Sequence, residues 1–434
     1  SNVPVKKIEA GRLGVGYIEQ SSRYVVYDQK DQKGNFRYLR DAKKNPIMES
    51  KYRGRYVKDM DAIFEIYTEA VEPMKDFFKK RKPQSEAKYD IRNLPKTDPN
   101  YKKPIGLDEC KDEAEVKAWK RTYNFDIRTK TCDTLRIMLP GATLTNVGMF
   151  CNGRAYEYMI RRMLSSDNPE EITVGQHMLD ELKKVVPHYV ARAERDDYLV
   201  QTRRKSMQLA KELFKNIPTE PASEVYLHDF GLEHLARNLS DPKQLPELFW
   251  REFDLAETAQ MVYPFVEHSF PQIINTLRQL PEEKLQDIRT TYVGARRTRR
   301  DKPGRALEYG YPLTFDLMGD FGIFRDMHRM RMMQQLREFF TTRYGFVDNA
   351  DITEAGFGDA LKRVYDISQN LFEDVVQDVG PEIAQNVVVF GAKQRFMMAM
   401  NDREAMHTLE IRTIPQGHPS YRTLAQGMHK AIKT

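Results

Sequence analysis

Two stretches of this 434-residue chain follow one pattern: MFCNGR at residues 149–154 and MAMNDR at residues 398–403. In both, an apolar run leads into an Asn-x-Arg turn near the start of a helix, and a second amphipathic helix follows. These second helices contain residues 174–186 and 421–432. Two diverged copies of one structural unit would produce this pattern, and two unrelated helical hairpins that share Asn-x-Arg would look similar.

The strongest boundary signal is Pro-Thr-Glu-Pro at residues 218–221, which ends a polar helical stretch at 201–220. We therefore predict two domains, a first repeat at residues 1–215 and a second repeat at residues 216–434.

The hydrophobic pattern predicts a predominantly helical α+β protein with small antiparallel sheets. The first repeat is predicted to hold a hairpin at 23–41, a helix at 60–80, a polar surface stretch at 81–111, a helix carrying Phe150 to Ile160 and a helix carrying Val174 to Val185. The second repeat is predicted to hold helices at 246–263, 270–288, 321–342, 353–377, 394–410 and 419–432, with β-like runs at 311–317 and 387–390.

The composition limits the class of protein. Lys and Arg outnumber Asp and Glu by 69 to 63, a net charge of +6 that suits an anionic small molecule better than a nucleic acid. No apolar run is long enough for a membrane span or a signal peptide. The three cysteines form no Cys-x-x-Cys pair and the nine histidines no ligand motif, so we expect reduced thiols, a cytoplasmic location and no metal.

The first candidate cluster is the segment at residues 19–24. Glu19, Ser21 and Arg23 place a carboxylate, a hydroxyl and a guanidinium within a short span. Such a set can hold a polar ring and an anionic group together. An ordinary strand with alternating exposed side chains would carry similar residues.

The second cluster lies on the predicted helix at 321–342. There Arg325 and Arg329 share one face, as do His328 and Arg331. Cations on one face repel each other unless an anion lies between them, and guanidinium groups match phosphate oxygens in pairs. A solvent-facing basic ridge is the alternative.

The third cluster is Asn401, Arg403 and His407, which fall within two helical turns, followed by Arg412 at the helix end. The helix dipole favours a cation at that end, which is the alternative reading of Arg412.

In this order, the clusters resemble the flavin-dependent thymidylate synthase family, and more closely its long form with two tandem ThyX-like units. The family motif is Arg-His-Arg-x-x-Ser-x-Asn-Glu-x-Ser-x-Arg-Tyr, followed later by an Asn-Ala-Arg helix. The motif tail stands in the first repeat as Glu19, Ser21, Arg23 and Tyr24. The head positions instead hold Gly11, Arg12 and Leu13, and the Ser and Asn positions hold Gly16 and Ile18.

The second repeat keeps the opposite part of the motif. Its head stands as Arg329, Met330 and Arg331, with Gln334 at the Ser position. Gly304–Glu308 and Leu313–Phe315 resemble the family's approach to the motif. Both Asn-x-Arg turns resemble the Asn-Ala-Arg helix with the Ala replaced. Only the second repeat keeps the Arg nine residues later, as Arg412, because the first has Met163 there with Arg162 beside it.

The resemblance implies reductive methylation of deoxyuridylate (dUMP) to thymidylate. Methylenetetrahydrofolate would supply the carbon, reduced FAD the hydride, and NADPH would recharge the flavin. It implies nucleotide-binding roles for Arg23, Arg329 and Arg412 at anionic groups and for Glu19 and Ser21 at the sugar and base. It implies flavin-binding roles for Arg331, Asn401, Arg403 and His407, and for Asn152 and Arg154 in the first repeat.

In the family each nucleotide site is shared between subunits. The resemblance therefore implies one composite site for each pair of repeats, and a homodimer equivalent to four units. The family also places a strand and a helix ahead of the motif, and the chain opens on Ser1 without an initiator Met, so we expect the first repeat to be truncated at its N-terminus.

The departures at Met330 and Gln334 leave alternatives open. Met cannot donate the hydrogen bond of the family His, so a non-catalytic nucleotide- or flavin-binding homologue is the second hypothesis. An RNA-binding protein that uses the basic segment at residues 296–305 is the third.

Overall fold

The fold was analysed on a computed structural model. It describes the residues 1–9, 15–213, 223–228, 244–266, 268–298, 301, 303–310, 312–330, 332–415 and 417–433.

Among the described residues, helices dominate and two small antiparallel sheets accompany them, as the sequence predicts. The helices are α1 (Asn2–Glu9), α2 (Arg53–Arg81), α3 (Glu113–Leu135), α4 (Gly153–Leu164), α5 (Pro169–Val185), α6 (Asp197–Leu213), α7 (Gln244–Val262), α8 (Phe270–Arg278), α9 (Glu282–Val293), α10 (Phe321–Met327), α11 (Ala350–Glu354), α12 (Gly358–Ala384), α13 (Asp402–Arg412) and α14 (Pro419–Lys433). The strands are β1 (Val15–Glu19), β2 (Val147–Cys151), β3 (Val225–Leu227), β4 (Leu313–Asp320), β5 (Gln334–Arg337) and β6 (Lys393–Met400).

The chain forms two compact units. The first compact unit comprises residues 1–218, 320–322 and 339–394, and the second comprises 219–319, 323–338 and 395–434. The predicted repeat boundary at 215/216 lies outside the described residues and stays a prediction.

The core of the first compact unit forms where α2 packs against α3 and α12. The apolar residues of α2 recur at helical spacing, and Met60, Phe64 and Tyr67 are fully buried. On α3, Trp119 stacks on Tyr123 at 5.4 Å between ring centroids. The same unit holds the two-stranded sheet of β1 and β2.

The second compact unit is built on a four-stranded sheet with the order β3-β4-β6-β5. On β4, Leu313, Phe315 and Leu317 alternate with less buried residues, as a sheet with one covered face requires. Helix α14 packs against β3, and α7 packs against α8 and α9.

The structure corrects several predicted elements. The hairpin at 23–41 is wrong, because only its turn at residues 31–35 forms, with Gly34 at φ 79°. Phe36 and Tyr38 pack against Phe64 of α2 instead of forming a ladder. Tyr38 is buried, and its hydroxyl donates to Asp61 Oδ1 at 2.9 Å.

The helix predicted at 321–342 is also wrong, because α10 ends at Met327 and β5 follows. The helix predicted at 394–410 divides into β6 and α13. β5 and β6 pair with each other across about sixty residues of chain. Local hydrophobic periodicity does not reveal such a distant pairing.

Three smaller corrections follow. Phe150 lies in β2 and not in the helix after it, and the helix predicted at 270–288 is interrupted before α9, where Pro281 caps the next helix. Residues 387–390 form the end of a 3-10 turn and an isolated bridge between Val389 and Pro140 rather than a strand.

Candidate functional site

The two Asn-x-Arg turns follow strand ladders of the same register. In the first repeat Gly16 pairs with Phe150, and in the second Gln334 pairs with Ala399. Gly16 and Gln334 both occupy the Ser position of the motif, and each partner stands two residues before the Asn of its repeat.

The same correspondence holds at the other end of each ladder. Glu19 pairs with Val147, and Arg337, at the Glu position of the second repeat, pairs with Phe396. Both partners stand five residues before the Asn. A one-residue slip would turn every side chain to the opposite face, so this agreement supports the motif alignment at each position along the strand.

Each Asn caps the helix that it precedes. The Oδ1 atom of Asn152 accepts a hydrogen bond from Ala155 N at 3.0 Å, and that of Asn401 accepts one from Glu404 N at 3.0 Å. Asn is among the best N-cap residues because its side chain satisfies one free N–H of the first turn. The Asn of the motif therefore has a structural role in both repeats.

The Arg of the turn differs between the repeats. Arg154 is exposed, whereas the Nη1 atom of Arg403 donates to Glu308 Oε1. Glu308 also accepts from Arg305 Nε at 3.1 Å. Glu308 belongs to the segment that resembles the family's approach to the motif, so two family-like segments meet here. His407 lies one turn after Arg403 on the same face and is half-buried.

The middle residue of the turn differs as well. A Cβ atom added to Gly153 would lie 2.6 Å from Cγ of Tyr189, so this position has no room for the family's Ala. Its counterpart Asp402 is largely buried, and burial raises the pKa of its carboxyl to about 6, with the charge of Asp254 adding to the shift.

Arg412 ends α13 in a largely buried position. Burial lowers the pKa of its guanidinium, while the charge of Asp326 opposes this shift and that of Arg329 adds to it. Its guanidinium lies 5.5 Å from the ring centroid of Tyr421. Within the described part of the chain, its buried Nε has no hydrogen-bond partner. The charge of Arg329 thus acts on Arg412, and that of Asp326 acts in the opposite direction.

The turn that carries the motif head is fixed by backbone contacts. Arg329 is exposed in the turn after α10, and the neighbouring Met330 is buried. Gln335 Nε2 lies 3.0 Å from His328 O and 2.8 Å from Met330 O. Arg331 lies outside the described residues.

The predicted face of convergent cations on α10 does not form. Arg325 and His328 are buried, and His328 Nδ1 lies 2.8 Å from the carbonyl oxygen of Arg325. Because α10 ends at Met327, Arg329 does not continue the face of Arg325. The anion-binding prediction therefore rests on Arg329 and Arg412.

The motif tail of the first repeat forms a local turn. Glu19 ends β1, and Ser21 Oγ accepts a hydrogen bond from Arg23 N at 3.3 Å. Arg23 Nε lies 3.3 Å from Asp133 Oδ1, which also lies 3.1 Å from Arg136 Nη2. Arg23 is thus already neutralised in part by a carboxylate on α3, a partner that no motif indicated.

A basic cleft adjoins this tail. The ring of Tyr24 stacks on Phe125 at 5.8 Å, and Phe125 lines a cleft of about 860 Å3. Its cationic lining residues are Lys75, Lys79, Arg121 and Arg128. Since Lys75 and Lys79 each pair with a carboxylate one turn away, the positive character rests mainly on the two arginines.

The basic segment proposed for RNA is partly used within the fold. Arg296 forms a two-pronged ion pair with Glu410 at 2.7 and 2.9 Å. Arg297 N donates to Asp301 Oδ2 at 2.8 Å. Arg299 and Arg300 lie outside the described residues. The guanidinium of Arg296 is therefore not available to a phosphate backbone, whereas that of Arg297 is exposed.

Comparison with known proteins identifies the family. The profile of the thymidylate synthase complementing protein matches residues 4–188 and 266–434, so the chain belongs to this family. The two matched segments fall one in each repeat, which confirms the tandem arrangement.

Relatives over the whole chain carry a less specific name. The chain is 28% identical over 434 residues to a UPF0159 protein of Chlamydia muridarum, covering all of this chain and 73% of that relative. It is 27% identical to a UPF0159 protein of Chlamydia pneumoniae over all of this chain and 72% of the relative. It is 25% identical to a UPF0159 protein of Thermoplasma acidophilum over all of this chain and 80% of the relative. In the described ranges, we find no helix with the length and hydropathy of a membrane span.

Proposed function

We propose that this protein binds dUMP through Arg329 and Arg412 and catalyses its reductive methylation to dTMP. The observation that carries this proposal is the largely buried Arg412, whose Nε atom has no hydrogen-bond partner among the described residues and whose guanidinium is influenced by the charge of the motif-head Arg329. An anion placed there would gain charge-assisted hydrogen bonds and relieve the repulsion between the two guanidinium groups.

Tyr421 supports the same proposal. Its ring packs beside the Arg412 guanidinium and limits the positions that this group can take. A guanidinium held before the ligand arrives loses less conformational freedom on binding, which increases affinity.

The residues proposed for the flavin fit that group in part. Arg403 and His407 lie on one face of α13, and both side chains offer N–H donors to an anionic or carbonyl oxygen. Asn401 keeps its Nδ2 donor because only its Oδ1 is used by the cap. Bound FAD would supply the hydride, with NADPH as its reductant and methylenetetrahydrofolate as the carbon donor. The side chains named here would bind and orient the flavin.

The first repeat is proposed to contribute Glu19, Ser21 and Arg23 to nucleotide binding. Arg23 is half-buried and paired with Asp133, so its guanidinium is oriented before any ligand binds. If the repeats share one site, Arg23→Ala and Arg412→Ala will each abolish the same binding event. Independent effects of the two variants would contradict a shared site. The homodimer remains part of the proposal.

Met330 favours a second candidate, a nucleotide-binding homologue without turnover. Its side chain is buried and offers no hydrogen-bond donor where the family motif has His. Gln334 replaces the Ser of the motif with an exposed amide. The second candidate keeps the Arg329–Arg412 site and loses only the chemistry.

The experiment that separates the two candidates combines spectroscopy, binding and turnover. We would record the visible absorption of the purified protein, its thermal stabilisation by dUMP, and dUMP-dependent oxidation of NADPH in the presence of methylenetetrahydrofolate. The proposed enzyme shows flavin absorption, thermal stabilisation by dUMP and dUMP-dependent oxidation of NADPH. A colourless protein that dUMP still stabilises supports the second candidate.

The binding site itself is tested by Arg412→Ala. Loss of a charge-assisted, two-pronged contact should weaken dUMP binding by about 100-fold, or about 3 kcal/mol. The matched control is Arg162→Ala, at the corresponding end of α4, where the guanidinium lies 5.6 Å from Tyr158. Equal affinity of wild type and Arg412→Ala would contradict the assignment of this site.

A further inference from the structure

A cavity of about 800 Å3 lies within the second compact unit, between α7 and α13. Trp250, Phe253 and Glu257 line it from α7, and Ala405 and Leu409 line it from α13. These residues follow helical spacing on each side, so one stripe of each helix faces the cavity. Its volume is within the range of pockets for small organic ligands.

Glu257 is the unusual residue of this cavity. Its side chain is only 6% exposed, and among the described residues its Oε1 atom has no hydrogen-bond partner. Burial raises the pKa of its carboxyl to about 8, and the charges of Asp402 and Asp254 add to the shift. A buried carboxyl without a partner is costly, so this arrangement needs a compensating group.

Arg289, a cation of the described cavity wall, compensates Glu257 only in part. Arg289 opposes the pKa shift, but its Nε donates to Thr258 Oγ1 at 2.9 Å and its Nη1 to Glu282 Oε1 at 2.8 Å. The remaining charged or titratable groups that face the cavity are Asp254 on α7, Asp402 and Glu410 on α13, and His429 and Lys433 on α14.

These remaining groups do not neutralise it either. Glu410 is neutralised by Arg296, and His429 and Lys433 are both exposed on α14. The carboxyl groups in the described cavity wall therefore outnumber the cations that could neutralise them. These carboxyl groups belong to Asp254, Glu257 and Asp402. No group of three or more His, Cys, Asp or Glu suited to a metal ion occurs among the described residues.

We propose that this cavity binds a small organic cation, an apolar or aromatic body bearing an amidinium or ammonium group, with Glu257 as its counter-ion. The cation would provide the missing donor to Oε1 and offset the cost of ionising the buried carboxyl. The aromatic rings of Trp250 and Phe253 suit the body of the ligand and can face its charge.

This site is distinct from the proposed nucleotide and flavin residues. Arg403, His407 and Arg412 do not line the cavity, although Asp402 precedes Arg403 directly. A protein that fails to bind dUMP could therefore still bind the cation, and the two proposals can fail separately.

The test uses benzamidine as the cationic probe and benzamide as its neutral counterpart of the same shape. We would measure both by calorimetry on the full chain, in buffers with different ionisation enthalpies. We expect benzamidine to bind at least about tenfold more tightly than benzamide. As pH rises toward the pKa of Glu257, its affinity should increase by about tenfold per pH unit, and binding should release a proton. Above that pKa the affinity should level off.

Two variants identify the counter-ion. Glu257→Gln keeps the shape of the side chain and should abolish both the proton release and the preference for benzamidine. Glu247→Gln is the matched control, because Glu247 is exposed on the same helix and does not line the cavity. It should behave as wild type.

Three outcomes would overturn the proposal. They are benzamidine and benzamide binding with equal affinity, no binding of benzamidine up to about 10 mM, and an unchanged pH dependence in Glu257→Gln. If Glu257→Gln lowers the stability of the fold, Asp402→Asn gives a second measurement. It should weaken benzamidine binding and leave benzamide unaffected.

Discussion

The turn at residues 152–154 and the turn at residues 401–403 have the same backbone role in different surroundings. Each follows a strand of the same register and begins with an Asn that caps a helix. In the first repeat the turn is exposed and its middle residue is a Gly pressed against Tyr189. In the second its Asn is buried, the next two residues are half-buried, and its Arg is ion-paired with Glu308.

The comparison shows which properties of a motif are local. The helix start depends on hydrogen bonds between near neighbours, and it survives in both repeats. The electrostatic state of the Arg and of the middle residue depends on segments far along the chain, and it differs. Four sets of substitutions test this division, in order of decreasing expected effect.

The largest effect is expected for Gly153→Ala, which forces a methyl group against Tyr189. Overpacking should cost about 2 kcal/mol of stability, more than Ala gains in helix propensity. The control is Gly54→Ala in the first turn of α2, where no atom lies within 4 Å of the added Cβ. It should stabilise the protein by about 0.5 kcal/mol, and denaturant unfolding would measure both. A stabilising Gly153→Ala would show that Tyr189 yields to the added methyl group.

Next, Arg403→Ala should cost about 1–2 kcal/mol, because Glu308 loses a half-buried cationic partner. Arg154→Ala in the first repeat should change stability by less than about 0.5 kcal/mol. Hydrogen exchange of the peptides around α13 and α4 would locate each effect. Equal losses in both repeats would contradict the difference in environment.

Asp402→Asn tests the electrostatic difference at the middle position. The folded-state pKa of Asp402 is raised to about 6, so the folded protein binds more protons than the unfolded chain above about pH 4. Stability should therefore fall as pH rises through this window. The variant should remove on the order of 1 kcal/mol of that loss, allowing for the partial exposure of the side chain.

The control for this measurement is Asp359→Asn, an exposed carboxylate in the first turn of α12. Thermal unfolding of both variants between about pH 4 and about pH 7 would provide the comparison. An identical pH dependence of wild type and Asp402→Asn would contradict the raised pKa of Asp402.

The smallest difference is expected between Asn152→Ala and Asn401→Ala. Each removes one N-cap hydrogen bond and should cost about 1 kcal/mol. Protection of the first-turn amides of α4 and α13 against hydrogen exchange should fall by a similar factor. A loss in Asn401→Ala several times larger would show that this Asn does more than cap its helix.

Much of the second repeat's candidate site was predictable from short motifs. The order of the clusters pointed to the family. The motif alignment that puts Gly16 and Gln334 at one position agrees with the register of the two ladders, although the strands themselves were not predicted there. The pairing of Arg403 with Glu308 joins two segments that the resemblance had already marked. The roles of Arg23, Arg329 and Arg412 remain predictions.

Other parts were not predictable. Asp133 carries no motif, yet it lies against Arg23, and Tyr421 was not expected to pack beside Arg412. Glu257 looks like any glutamate of an amphipathic helix, and only its burial beside Asp402 sets it apart. The predicted helices at 321–342 and 394–410 were wrong where β5 and β6 pair.

The sequence by itself determined the family, the doubled Asn-x-Arg unit and most helices, because caps, periodicity and motif order depend on residues that are close along the chain. The tertiary structure alone decided which arginines are neutralised, which carboxyl is buried without a partner, and where helix gives way to strand. These properties depend on solvent exclusion and on contacts between residues distant in the chain. Local sequence carries no record of either.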